Sequence, residues 1–91
     1  MASITYEDTF SNTLQSLVDR IEPEYTKNSI QQLLNRFNAQ SGIASLLDRI
    51  NILEMMLQDS GKIDDDNLKK LFYDTVTQKI GDLKEQLENP I

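Results

Sequence analysis

The chain has 91 residues with no cysteine and no histidine, and only three glycines and two prolines. The missing cysteines exclude disulfide staples and fit a reducing compartment. Without histidine as well, most transition-metal sites and the usual nucleophile–base pairs are excluded. So few glycines and prolines argue against a disordered linker, and no glycine-rich phosphate loop is present. Positive charge is also scarce: 9 Lys and Arg stand against 15 Asp and Glu, a net −6. That balance argues against direct nucleic-acid binding and against adsorption to an anionic membrane. Apolar clusters are a few residues long and broken by charges, so no membrane span is expected. The first nine residues lack the basic start and apolar core of a signal peptide, which leaves the cytoplasm as the expected compartment.

What is present is helical patterning. The spacing predicts a first helix over about residues 5–21, with Tyr6, Phe10, Leu14, Leu17, Val18 and Ile21 as its stripe. Thr5 and Asp8 resemble a capping box, and Pro23 breaks the pattern. A second helix is expected over about 27–39, capped by Thr26 or Asn28 and carrying Ile30, Leu33, Leu34 and Phe37. Ser41-Gly42 then forms a break or only a kink. The third spans about 42–60, with Ile43, Leu46, Leu47, Ile50, Leu53 and Leu57 on one face and Gly61 as a left-handed C-terminal cap. The fourth spans about 65–88 and is capped by Asp64; Ile63 and Leu68 are spaced as a hydrophobic staple. Gly81 weakens this helix from within, and Pro90 follows it. No strand is expected, because alternation is absent. The fold class expected is all-α, a small antiparallel bundle of four helices, or three if the second and third merge.

An eight-residue pattern echoes through the chain. Residues Leu14–Ile21, Ile30–Phe37 and Ile43–Ile50 align so that Arg20, Arg36 and Arg49 share one slot. One reading is a triplicated helix that docks in three equivalent ways. The other is convergence, since amphipathicity alone fixes the apolar half of the pattern. Three unequally spaced copies do not make a solenoid.

The loop from Gln58 to Asn67 is the best metal candidate, because Gly61-Lys62-Ile63 matches the middle of an EF-hand loop. Aligned on Gly61, however, the first ligand position falls on Met56 and the twelfth on Asn67, so both essential carboxylates are missing. The acidic run reads better as helix capping. Remaining carboxylates lie on polar faces or at caps, and neither catalytic residues, metal nor cofactor are expected. Two stretches, Ile30-Gln31-Gln32-Leu33-Leu34 and Ile43-Ala44-Ser45-Leu46-Leu47, have the form of short helices that dock into partner grooves, a form that core-facing helices share.

Two features point to a surplus of apolar surface. Ile52, Met55 and Met56 fall roughly opposite the Ile43–Leu57 stripe at 100° per residue. Either the chain covers this helix on both sides, or it presents an adaptable methionine-containing patch to a partner. On the fourth helix, Tyr73, Val76, Ile80, Leu83 and Leu87 follow a coiled-coil seam of about two heptads. That seam packs the helix into the bundle or pairs it with a second copy of the chain. These eight residues form the expected partner-binding set of a non-catalytic protein-interaction module: an adaptor, assembly factor or regulatory subunit. The alternative is an acidic inhibitor or immunity-type protein that neutralises a toxin or nuclease through charge complementarity. Neither reading involves direct nucleic-acid or membrane contact.

Overall fold

A computed structural model describes residues 6–40 and 45–89, with side chains from Thr9 onward. Four helices follow one another: α1 (Tyr6–Val18), α2 (Glu24–Ala39), α3 (Leu46–Ser60) and α4 (Asp66–Glu88). Each helix packs against its chain neighbours, and α1 closes the ring against α4. Short connections make successive helices antiparallel, so the fold is a small all-α bundle. The second and third helices are separate elements. Thr5, Asp8, Ile43 and Pro90, which figured in the expected cap, stripe and stop, lie outside the residues whose side chains are described.

The boundaries follow from local chemistry. The helix α1 ends at Val18, three residues short of the expected end, because Glu22 precedes Pro23 and the residue before proline disfavours helical dihedrals. Tighter turns, Arg20 N–H to Leu17 O and Ile21 N–H to Val18 O, carry the chain on so that Ile21 still reaches the core. The start of α2 lies earlier than expected. Pro23 takes the N-cap position at φ −63° and accepts the Lys27 amide at 2.9 Å. Thr26 is therefore not a cap: it sits in the first turn, turned inward and buried.

Gly61 does not adopt the left-handed conformation expected of it; its φ is −61° and ψ −18°. The C-terminus of α3 instead tightens through Gly61 N–H to Gln58 O, Lys62 N–H to Asp59 O and Ile63 N–H to Ser60 O. These bonds between residues three apart satisfy the last carbonyls without a left-handed Gly61. The cap of α4 is Asp65 and not Asp64. One Asp65 carboxylate oxygen accepts the amides of Asn67 at 2.9 Å and Leu68 at 3.1 Å. Ile63 and Leu68 are both buried on either side of that cap.

One apolar cluster fills the bundle. It takes Leu14, Leu17 and Val18 from α1 and Ile30, Leu33, Leu34 and Phe37 from α2. From α3 come Leu46, Ile50, Ile52, Leu53 and Met56, and from α4 Leu68, Phe72, Val76, Ile80 and Leu83. The three-four spacing of each stripe turns a face of about 100° or more inward. No described helix is long and apolar enough to cross a membrane.

Candidate interaction surface

The adjacent methionines of α3 part company. Met55 is 42% exposed, whereas Met56 is completely buried. Ile52 is buried as well, so two of the three residues read as a sticky patch belong to the chain's own core. The cause lies in how α3 is flanked. On its α2 side, the Ser29 hydroxyl donates to the Asp59 carboxylate at 2.6 Å, and the Arg49 guanidinium lies 4.8 Å from the Phe37 ring centre. At 100° per residue, Ile52 and Met56 fall between Asp59 and Arg49 on the helix circumference. The helix α2 therefore covers them. With the buried arc rotated toward α2, Leu47 moves out of the expected stripe and stands 63% exposed.

On α4 the seam is divided in the same way. Val76, Ile80 and Leu83 are buried in the bundle, while Tyr73 and Leu87 stay exposed at its edge and end. The seam is filled from within the chain, since α4 lies between α3 and α1. Of the eight expected contact residues, Ile52, Met56, Val76, Ile80 and Leu83 are thus interior, and Met55, Tyr73 and Leu87 face solvent. Among the described residues the exposed large apolar side chains are these three with Tyr25, Leu47 and Leu71. Five of the six stand on the α3–α4 hairpin. Leu47 and Leu71 were missed because apolar residues beside a stripe are read as part of it.

Several surface grooves border the helices, three of them lined by described residues. Between α2 and α3, a groove of about 200 Å³ brings Met55 beside Leu33, Gln32, Arg36, Gln58 and Asp59. Its lining also includes the Ser29 hydroxyl, which donates to Asp59. At the end of the bundle that carries the α1–α2 and α3–α4 turns, Asp19, Glu22 and Asp65 line an open groove of about 640 Å³ with Arg20, Ile21 and Lys27. The third groove, about 160 Å³, lies between α1 and α4 and is bordered by Thr9, Phe10, Thr13, Thr75, Gln78, Lys79 and Asp82.

Lys79 was absent from the sequence reading. It occupies a core-facing slot between Val76 and Leu83, is 2% exposed, and holds its ammonium 5.3 Å from the Phe10 ring centre. The signal for it was a charged residue three after one core position and four before another. Near the α3–α4 turn, Lys62 lies 5.4 Å from the Tyr25 ring centre. A side-chain hydrogen bond with Tyr25, then the charges of Tyr25 and Asp59, raise the Lys62 ammonium above its usual 10.5.

No group of three or more acidic, histidine or cysteine side chains is arranged to hold a metal ion among the described residues. In the loop that echoes an EF-hand, the Asp65 carboxylate is engaged by two backbone amides. No family model, curated protein or solved structure matches this chain.

Proposed function

We propose that this chain is a non-catalytic protein-interaction module whose contact face lies on the α3–α4 hairpin. The observation that carries the reading is that five of the six exposed large apolar side chains among the described residues stand on these two helices: Leu47 and Met55 on α3, Leu71, Tyr73 and Leu87 on α4. Solvated apolar groups contribute about 25 cal/mol per Å² when a partner covers them, and tyrosine and methionine are favoured at such contacts. The core itself is complete without them, so the hairpin can be covered or uncovered while the bundle stays folded. With α4's inner seam filled by its own chain, only outer side chains remain for a partner, and we assign them to a different protein.

The experiment compares the wild type with a Leu47→Asp/Met55→Asp double variant as baits in affinity capture from the source cell's extract, after matched melting curves establish equal folding. A protein retained by the wild type and lost by the variant supports the assignment. Equal retention by both, or no specific retention, overturns it.

A second reading rests on the acidic end. Asp19, Glu22 and Asp65 share one groove with Arg20 and Lys27, and Asp64 and Asp66 adjacent in the chain add to the acidic surplus, an arrangement that suits a basic surface such as the active site of a nuclease. A captured complex that weakens steeply with salt and with Asp64→Lys favours this inhibitor reading; a salt-insensitive complex favours the hairpin.

A further inference from the structure

We propose that α1 is a latch, opening as a unit from a three-helix body formed by α2, α3 and α4. The packing is uneven. The helix α3 approaches both α2 and α4 closely along its length, whereas α1 makes far less close approach to α2 and least of all to α4. Among the described side chains of α1 the buried apolar ones, Leu14, Leu17 and Val18, lie in its second half, and Phe10 is only partly covered.

Beside these apolar contacts, the described α1–α2 seam carries exposed or half-buried polar ties. Ser11 donates to the Asn38 side chain at 2.6 Å, and the amides of Gln15 and Gln31 exchange hydrogen bonds at 2.7 and 2.9 Å. Water replaces such bonds at little net cost when the seam opens. Along α4 the seam carries the open 160 Å³ groove between the two helices. There the closed latch also sets Phe10 over Lys79.

The body retains its own ties when α1 leaves. Ser29 to Asp59, Lys62 over Tyr25, and Arg49 over Phe37 all join α2 to α3 or to the turn after it. What opening uncovers is the apolar floor between α2 and α4, including the Phe37 ring that meets Phe10 edge-on at 5.6 Å. Elements of this kind open below the global unfolding free energy.

Native-state hydrogen exchange on the full chain across sub-denaturing urea tests the latch. The expected result is a shared protection for the amides of residues 14–18 at least ten-fold below that of Leu53 and Val76, with a shared urea slope between zero and the global slope. Protection and slope equal to those of Val76 would overturn it, because α1 would then open only with the whole bundle. Graded protection with no slope would also overturn it, as end-fraying. In a second measurement, Ser11→Cys/Asn38→Cys forms the chain's sole disulfide. Oxidation raises the α1 protection toward the body's and reduction reverses it; an oxidised variant that leaves α1 protection unchanged contradicts detachment from α2.

Discussion

At the scale of single residues, one position along a helix decides between solvent and core. Met55 and Met56 have the same chemistry and differ by 100° of rotation, and that rotation takes one to solvent and the other beneath α2. Met56→Asp buries an unpaired carboxylate and is expected to cost more than about 3 kcal/mol, enough to unfold a marginal bundle. Met55→Asp is expected to stay within about 0.5 kcal/mol of the wild type. Urea unfolding of both variants checks the pair, and similar tolerance at the two sites would place Met56 at the surface. Thr26 gives a prediction of the opposite sign. Its hydroxyl is buried without a hydrogen-bond partner among the described residues. Thr26→Val keeps the shape and removes that desolvated group, so stability should rise by about 1 kcal/mol in the same assay. Neither residue's environment was legible in the sequence. The eye finds an apolar residue easily, but the direction in which it turns depends on which neighbours flank its helix.

At the scale of elements, the existence and order of four helices could be read from apolar periodicity and from the breaks at Pro23, Ser41-Gly42 and Gly61. Caps could not, because they depend on which of several competent residues the backbone selects. Asp64, Asp65 and Asp66 are all able to cap; only Asp65 has its carboxylate over the free amides of α4. Asp65→Ala should therefore lower stability by about 1 kcal/mol, and Asp64→Ala should change it by no more than a few tenths. Thermal melts of the two variants distinguish them, and equal losses would contradict the cap assignment. The turn at Gly61 gives a second check. A left-handed glycine is harmed by a Cβ, but here φ is ordinary and an added Cβ would meet only Gln58 O at 3.5 Å. Gly61→Ala should be neutral or stabilising by up to about 1 kcal/mol. A loss of stability in chemical denaturation would mean that the helix ends in the left-handed form after all.

At the scale of the whole molecule, the apolar surplus seen along α3 and α4 is largely an effect of reading helices one at a time. A helix flanked on two sides needs a wide apolar arc, and Ile52 and Met56 on α3 widen that arc toward α2 while Val76, Ile80 and Leu83 fill the inner face of α4. The candidate site was legible only where residues lie beyond those arcs, at Met55, Tyr73 and Leu87. We propose that the core closes within one chain and that the hairpin's outer side chains meet a different protein. Size-exclusion chromatography with light scattering across a wide concentration range tests it most directly. The expected result is a monomer of 10.5 kDa throughout, with a denaturation midpoint that does not move with protein concentration. A dimer that survives dilution would contradict it, because a second copy would then cover apolar surface that is here assigned to the chain's own core or to another partner.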